Sequence, residues 1–469
     1  MKTFLICFFA LSLGTLSFAQ QRGYDSCRRC FPFSKNVRYN EASNPDLTTI
    51  TTADLHHLYY YWDSVYVVHL ADGTAYVKND EQDVGEDGIT TSEANGYGMV
   101  IEVLMAGCQP NAQRQFDALY GYALKHHIAS KNPNDGFTSP YLMSWKQYDT
   151  TSTKKDEKDA AVDGDLDIAY ALLLAYVQWG DSGYYHYLNA ARETLQAIVQ
   201  YETDVVNLKF ERGSDDKLDS SKPGYHFLRT SDFMPVNIRA FAACGPKDSV
   251  FWNGFLKANY DRFRSIQSNE YGLFPDYVYE EKPGTDFVIT EQNRHLARGQ
   301  HLNDGGGKRD NKYGANCGFN ACRVPWRIGL DYLLTGSPDA KAIIDNINGG
   351  IRRYTLDTAC LLSNVMLPVD NGDTSAHHRY VDSASAKESA DISTVGPLAV
   401  AAMADDDLAW RSRLFQLMTD QRATMCPNAD PNTLGQHKYY ETTIRIICDI
   451  IITHNYWTVD AADLKNVDR

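Results

Sequence analysis

Basic residues and long apolar runs are both scarce in this sequence. The chain has 45 Lys and Arg residues against 60 Asp and Glu residues, which gives a formal net charge of −15. A chain of this charge is repelled by phosphate groups, which argues against nucleic acid or an anionic membrane surface as a partner. The charge serves solubility, and it would also suit a polycationic substrate. After the N-terminal segment, no apolar stretch is long enough to span a bilayer.

Sequence motifs for several common chemistries are also missing. The chain has neither a phosphate-binding glycine loop nor the nucleophile elbow of Ser-His-Asp hydrolases. Its ten cysteines form no dense framework, and their disulfide pairing cannot be read from their spacing. Cys27-Arg-Arg-Cys30 has no second pair beside it, so it does not indicate a zinc or redox site. Because the histidine pairs are adjacent residues, which point to different sides of a helix, we expect neither a metal nor a cofactor.

The N-terminus has the pattern of a secretory signal peptide. Residues 1–19 combine a charged start at Lys2 with an apolar centre and small residues before Gln20, which is typical of such peptides. We therefore expect cleavage before Gln20 and a secreted or periplasmic protein. Residues 20–45 would then form an N-terminal extension. Because no linker rich in Pro, Gly or Ser divides the rest, residues 46–460 are expected to form one domain.

The stretch Ala161–Gly180 carries an unusual group of acids. An uninterrupted apolar run follows three carboxylates at alternate positions, Asp163, Asp165 and Asp167. The N-terminus of a helix favours one capping acid, but burying further unpaired carboxylates is costly. An EF-hand calcium loop would need Gly and Glu where the chain has Ile168 and Leu174. What remains is a carboxylate cluster at the mouth of a buried helix, and such clusters serve acid–base chemistry.

Helical periodicity dominates the chain, and it is of two kinds. Some predicted helices are apolar all round, which indicates burial on every side, whereas their neighbours have one apolar stripe. Alternation of the two kinds predicts an all-α fold of two concentric rings, an α/α toroid. A short hairpin is predicted around residues 71–73, and Ser92 is predicted to cap the next helix. The other predicted helices cover residues 113–129, 168–179, 184–201, 232–243, 250–266, 320–334, 338–352, 392–402, 407–419 and 437–452.

Several blocks of the sequence resemble glycoside hydrolase family 8. The acid-bearing stretch is similar to the family signature, with Val162 where that signature prefers Ser or Thr. The segment Ser92–Met99, SEANGYGM, resembles the motif that carries the family's catalytic acid. Further similar blocks follow in family order at residues 142–146, 232–242, 273–278 and 319–336. The resemblance spans more than half of the chain and implies an (α/α)6 barrel that hydrolyses β-1,4-linked polysaccharides with inversion.

The resemblance also implies roles for individual residues. Glu93 matches the catalytic acid, and burial of a carboxyl helps it to keep the proton that a glycosidase acid must donate. Asp163 and Asp165 match residues that surround the sugar at the cleavage point. Trp145 and Arg323 match substrate contacts. An inverting enzyme also needs a second carboxylate, about 6.5–9.5 Å from the first, to hold the attacking water.

Asn320 occupies the position of the family's usual catalytic base. An amide cannot accept a proton from water near neutral pH, so an active enzyme must take its base from elsewhere. In the chitosan-cleaving branch, which also has Asn here, an acid from an inserted loop is the base. The long polar connection Tyr277–Cys317 is therefore expected to supply it, with Asp304 the first choice and Glu291 the second. The acids of this connection are Glu280, Glu281, Asp286, Glu291, Asp304 and Asp310.

The identity of the sugar stays open at the level of the sequence. Asn320 and the acidic net charge favour chitosan, while cellulose, mixed-linkage glucan and xylan are alternatives within the family. A chain that has lost its base and only binds glycan is the non-enzymatic alternative. The expected partner is a polysaccharide or oligosaccharide, without nucleic acid or membrane, and the protein is expected to be a monomer.

Overall fold

Helices form the body of this protein. The computed structural model describes residues 27–41, 49–79, 88–129, 138–148, 159–181, 183–211, 227–269, 271–279, 316–358, 365–366, 392–419 and 439–466. The α-helices of these ranges are α1 (Thr52–Tyr66), α2 (Ser92–Leu104), α3 (Ala112–Lys125), α4 (Val162–Trp179), α5 (Tyr187–Tyr201), α6 (Pro235–Ala242), α7 (Pro246–Ile266), α8 (Val324–Thr335), α9 (Pro338–Thr358), α10 (Ile392–Ala402), α11 (Leu408–Thr419), α12 (Tyr439–Ile452) and α13 (Asp463–Asn466). None of them has the combination of length and apolarity that crossing a membrane requires.

An inner ring is built from the helices that are buried almost all round, α2, α4, α6, α8, α10 and α12. Each contacts the next one in the chain, and α12 closes the ring against α2. Consecutive residues Leu172, Leu173 and Leu174 of α4 are all fully buried, although they face different directions. Full burial of such a side chain contributes about 1.5–3 kcal/mol. The all-round apolar pattern therefore identifies helices that are enclosed by neighbours.

An outer ring covers the inner one with single apolar stripes. Helices α3, α5, α7, α9 and α11 each pack against the inner helix that precedes them, and α1 packs against α12. In α5 the buried stripe includes Leu188, Ala191, Leu195 and Ile198, the spacing of one helix face. Two rings of six helices confirm the predicted all-α (α/α)6 barrel.

Short antiparallel ladders join the helices at their ends. The pairs are β1 (Val67–His69) with β2 (Ala75–Val77), β3 (Thr90–Thr91) with β6 (Lys146–Gln147), β4 (His127–Ala129) with β5 (Thr138–Met143), β7 (Thr203–Asp204) with β8 (Lys209–Phe210), β9 (Phe227–Arg229) with β10 (Tyr277–Tyr279), and β11 (Asn316–Cys317) with β12 (Val365–Met366). Ladders β3–β6 and β9–β10 lie just before the inner helices α2 and α6. They hold the loops from which the site described below is built.

Helices α2 and α4 touch through their glycines. A Cβ atom added to Gly164 would lie 2.3 Å from Oγ and 2.5 Å from the carbonyl carbon of Ser92. A Cβ added to Gly96 would lie 2.9 Å from the carbonyl oxygen of Gly164. Contacts this short are impossible for a real side chain, so only glycine permits the crossing. The crossing brings the first turn of α2 against the first turn of α4.

The N-terminal extension covers the end of the barrel where inner helices finish. Main-chain hydrogen bonds join Arg28 N–H to the Gln178 carbonyl at 3.1 Å and Asn40 N–H to the Leu333 carbonyl at 2.7 Å. Cys27 and Cys30 form a disulfide in this extension. The opposite end, where the inner helices begin, is left for a substrate site.

Most predicted elements are found, and two of the differences have a clear physical reason. The hairpin at residues 71–73 is confirmed, with Gly73 in the left-handed region at φ 86°. The cap of α2 is Thr91, whose hydroxyl accepts from Ala94 N–H at 3.2 Å, so Ser92 is instead the first helical residue. Helix α3 ends at Lys125 rather than at residue 129, because residues 127–129 pair with β5.

Helix α1 has no counterpart among the predicted helices. Its buried residues Leu55, Tyr59, Trp62 and Tyr66 have helical spacing, but a segment so rich in Tyr and His hides that stripe. Thr51 and Asp54 form a reciprocal capping box at its start, which is a strong start signal.

The prediction of a single domain over residues 46–460 stays a prediction.

The close approach of α2 and α4 predicts opposite effects for two glycine substitutions. Gly164→Ala should lower the free energy of unfolding by about 1–3 kcal/mol, because the added methyl overpacks the contact with Ser92. Gly254→Ala, in the middle of α7, meets nothing within 4 Å and should raise stability by up to about 1 kcal/mol through helix propensity. Urea unfolding followed by circular dichroism measures both. Equal effects of the two changes would contradict the glycine contact.

Candidate active site

The first turns of the inner helices meet at the open end of the barrel. Glu93 lies in the first turn of α2 and Asp163 in the first turn of α4. Arg323 directly precedes α8, and Tyr439 begins α12. The free N–H groups and partial positive charge of a helix N-terminus favour carboxylates. The fold therefore gathers acids from distant parts of the sequence in one place.

One guanidinium group ties these acids together. Arg323 is almost completely buried, at 1% exposure. Its Nη1 lies 2.6 Å from Oε2 of Glu93, 3.0 Å from Oη of Tyr97 and 3.1 Å from Oδ2 of Asp163. A single nitrogen thus joins the predicted catalytic acid to the predicted sugar-site carboxylate.

The second nitrogen of Arg323 holds the opposite side of the site. Nη2 donates to Oγ of Ser231 at 2.8 Å and to Oδ1 of Asn320 at 3.0 Å. Nε also donates to the Asn320 main-chain carbonyl at 3.3 Å. Every nitrogen of the guanidinium is used, so its plane is fixed in one orientation.

Asp163 is held as a permanent carboxylate between two arginines. Its Oδ1 lies 2.9 Å from Nη2 of Arg229, and its Oδ2 faces Arg323. Burial alone would raise the pKa of Asp163, but the charges of Arg229 and Arg323 outweigh it and lower the pKa to about 2. Arg229 also binds Oδ1 of Asp232 at 2.7 Å. Burial is the largest influence on Asp232 and raises its pKa to about 6.

Glu93 is the more open of the two central carboxyls. Its side chain keeps 21% exposure against 4% for Asp163, so the burial expected from the sequence is incomplete. The Tyr439 hydroxyl lies 3.4 Å from Oε1 of Glu93. A group that transfers a proton must reach its substrate, and Glu93 has the accessible surface to do so.

Asn320 sits in a turn that one aspartate holds rigidly. Oδ1 of Asp276 accepts main-chain N–H bonds from Gly318 at 3.0 Å, Asn320 at 3.1 Å and Ala321 at 2.7 Å. The Asn320 side chain therefore faces Arg323 in a fixed position, but an amide remains useless as a base. The loop acids Glu280, Glu281, Asp286, Glu291, Asp304 and Asp310 lie outside the described residues, so Asp304 and Glu291 stay predictions for the base.

Trp145 is anchored through its main chain beside Glu93. Its carbonyl accepts from Ser92 N–H at 2.9 Å, and its N–H donates to the Asp159 carbonyl at 2.8 Å. The ammonium of Lys146 lies 5.5 Å from the centre of the indole ring. The side chain of Trp145 is half-buried, which leaves part of the ring for a sugar.

The three acids of α4 separate into different environments. Asp163 faces the site, whereas Asp167 points inward and binds Arg327 through both oxygens, at 3.0 and 2.5 Å. Asp165 has no exposed surface and accepts Met143 N–H at 2.9 Å. A side chain without accessible surface makes no sugar contact in this arrangement, so the predicted binding role of Asp165 gains no support. Within the described residues, no group of three His, Cys, Asp or Glu side chains is arranged so that it could hold a metal ion.

Several site residues were not singled out from the sequence. Arg229, Ser231 and Asp232 immediately precede or begin a block that resembles the family, and Asp276 lies within another such block. Tyr97 lies within the Ser92–Met99 block, but the resemblance assigns it no role of its own. The family-like blocks therefore point to the neighbourhood of these residues. The role of each residue depends on its contacts with residues from other parts of the barrel.

Comparison with known proteins identifies the family. The family model for glycosyl hydrolases family 8 matches residues 66–296. A β-glucanase of Niallia circulans is 32% identical over 326 residues, which span 68% of this chain and 71% of that protein. An endoglucanase of Bacillus sp. strain KSM-330 is 31% identical over 336 residues, which span 69% of this chain and 65% of that protein.

Solved structures share the architecture over nearly the whole chain. The apo β-1,3-1,4-glucanase of Paenibacillus sp. X4 superposes with a TM-score of 0.71 at 26% identity, covering 91% of this chain and 99% of that one. A cold-adapted family 8 xylanase superposes with a TM-score of 0.65 at 16% identity, covering 93% and 99%, and supports the fold alone. From these matches and the arrangement around Arg323, the chain belongs to glycosyl hydrolase family 8 and is an endo-acting glycoside hydrolase.

Proposed function

We propose that this enzyme cleaves a β-1,4-linked glucan with inversion, and that mixed-linkage β-glucan is its main substrate. The observation that carries the proposal is the shared contact of Glu93 and Asp163 with Nη1 of Arg323. This contact places the accessible carboxyl of Glu93 beside the permanently ionised carboxylate of Asp163. The similarity to a β-glucanase and to a β-1,3-1,4-glucanase supports the choice of sugar.

The two carboxyls have different tasks in this proposal. Glu93 protonates the oxygen of the leaving sugar, and Asp163 provides the negative charge that stabilises the oxocarbenium-like transition state. A water on the opposite face of the sugar attacks the anomeric carbon. Its proton goes to an acid of the Tyr277–Cys317 connection, because Asn320 has no basicity to receive it.

The charges of the site favour a neutral sugar over a cationic one. Asp163 and Asp232 are already paired with Arg229, and Asp163 is also paired with Arg323. Asp232 is therefore not left to bind an ammonium group of chitosan. Chitosan is the second candidate, favoured by Asn320 and by the net charge of −15.

Export from the cytoplasm is part of the same proposal. Residues 1–19 have the pattern of a signal peptide, and the Cys27–Cys30 disulfide suits an oxidising compartment. A polymeric substrate that cannot enter a cell also requires an enzyme outside it.

Replacing the proposed acid should abolish turnover and spare binding. Glu93→Gln keeps the shape of the side chain but removes the transferable proton, so kcat should fall about 10²–10⁴-fold. Affinity for cello-oligosaccharides, measured by calorimetry, should change little. Glu193→Gln on the outer helix α5 removes the same charge away from the site and serves as the control. More than half of wild-type kcat in Glu93→Gln would exclude Glu93 as the acid.

A substrate panel distinguishes the candidate sugars. Reducing-sugar assays on mixed-linkage β-glucan, carboxymethylcellulose, xylan and chitosan should give the highest kcat/KM on mixed-linkage glucan, with a KM independent of salt. If chitosan is the substrate, KM should rise with NaCl, because the Debye length shrinks to about 10 Å at 0.1 M and screens the attraction. Preference for chitosan would overturn the main proposal in favour of the second, and hydrolysis of none would contradict both.

Replacing each of the six acids of the Tyr277–Cys317 connection by alanine in turn should identify the catalytic base. One of the six variants should lose about 10²-fold or more in kcat, because water then attacks without a proton acceptor. Azide, a small anionic nucleophile, should restore part of that loss. We expect Asp304 first and Glu291 second. If all six variants stay active, the base lies outside the connection. The six replaced acids are Glu280, Glu281, Asp286, Glu291, Asp304 and Asp310.

A further inference from the structure

A second pair of carboxyls lies beneath the site and takes no part in the proposed chemistry. Asp165 lies in the first turns of α4, and Glu202 directly follows the last residue of α5. Both side chains have 0% exposure. The two carboxyls face each other within hydrogen-bonding reach. Two buried carboxylates in contact would repel strongly, so this arrangement needs a chemical explanation.

The hydrogen bonds around the pair leave room for one proton. Oδ1 of Asp165 accepts Met143 N–H at 2.9 Å. No N–H or hydroxyl of the described residues donates to Oδ2 of Asp165 or to either oxygen of Glu202. A proton on one carboxyl supplies the missing donor for the other. Since a bond from Met143 N–H stabilises the charged form of Asp165, the proton belongs on Glu202.

We propose that Glu202 carries a proton and donates it in a hydrogen bond to ionised Asp165, and that this acid pair positions the active site. Burial raises the pKa of both groups. For Glu202, the negative charges of Asp165, Asp159 and Asp163 raise it further, in that order. The proton is therefore retained where an ordinary glutamate has already ionised.

The charged groups around the Asp165–Glu202 pair form ion pairs with other residues. Asp163 and Asp232 face Glu202 as like charges, but Arg229 binds both of them. On the hairpin after Glu202, the buried Lys209 ammonium pairs with Glu211 at 3.0 Å. The surrounding charged groups thus already have partners, so the two carboxyls must form their hydrogen bond with each other.

A short chain of contacts leads from the pair to the proposed acid. Asp165 holds the amide of Met143, and two residues later the Trp145 carbonyl accepts Ser92 N–H at 2.9 Å. Ser92 directly precedes Glu93. Asp165 also lies two residues from Asp163 on the same helix. Loss of the proton, or of Glu202, would leave an unpaired charge under both central carboxyls and shift them.

The first test is thermal unfolding of the full chain without substrate, so it does not depend on the proposed function. A folded-state pKa above the unfolded value of about 4.3 gives stability that is complete below that value and is lost as pH rises through the folded pKa. Glu202→Gln keeps a donor for Asp165 and cannot ionise. The Tm of Glu202→Gln minus the Tm of the wild type should therefore increase as pH rises from 5 to 9. The same difference for Glu193→Gln should show no such trend. A constant difference between Glu202→Gln and the wild type would refute the shared proton.

The second test, which rests on the proposed function, separates positioning from stability. Glu202→Ala removes the donor and should lower kcat about 10–100-fold through misplacement of the catalytic groups, with a smaller change in KM. Glu202→Gln should recover most of that loss. Leu195→Ala, a core truncation on α5 away from the pair, should lower Tm while the folded enzyme keeps its kcat.

The outcomes remain distinguishable. Equal kcat for Glu202→Ala and Leu195→Ala, assayed below both Tm values, would reduce the pair to a structural feature and overturn the positioning role. If Glu202→Ala does not fold, Glu202→Met replaces it: the thioether fills the space of the side chain but cannot donate to Asp165, so kcat should fall as expected for alanine. If the wild type cleaves no polysaccharide, the proposed function fails, while the Tm comparison still decides whether the proton exists.

Discussion

The buried guanidinium of Arg323 is the interaction on which the rest of the site depends. It binds Glu93 and Tyr97 on α2, Asp163 on α4, Ser231 before α6 and the Asn320 turn before α8. A cation at 1% exposure is tolerated only when its donors are paired, because an uncompensated buried charge costs several kcal/mol. The same pairing lets acids gather where they would otherwise repel. Arg323 therefore fixes both the relative positions of the inner helices and the charge of the site.

The barrel explains why the acids collect at one end. Each inner helix is followed by an outer helix that returns the chain, so successive inner helices begin at the same end. Their N-termini supply partial positive charge to the carboxylates placed there. Arg229 and Arg323 supply full charges and hold the pKa of Asp163 at about 2. A carboxylate that stays ionised is suited to a transition state that develops positive charge on the sugar. Fold and chemistry thus use the same electrostatic arrangement.

What the sequence predicted depended on how local each feature is. The all-round apolar pattern of α4 and the single stripe of α5 are local, and they predicted the two rings. The acids Glu93 and Asp163 were found because short motifs surround them. Arg229 and Glu202 were not, because each acts through a partner more than 35 residues away in the sequence. Likewise, Asp165 and Asp163 look equivalent in the sequence, and only packing turns one inward. Spacing along a helix does not say which neighbour a side chain will meet.

The amide at position 320 has an electrostatic consequence beyond its inability to act as a base. Asp276 fixes the turn through three N–H bonds, so residue 320 faces Arg323 whatever its side chain is. A carboxylate there would compete with Glu93 and Asp163 for one guanidinium. With Asn320 the group donates to a neutral amide oxygen at 3.0 Å, and its charge is left to the two acids.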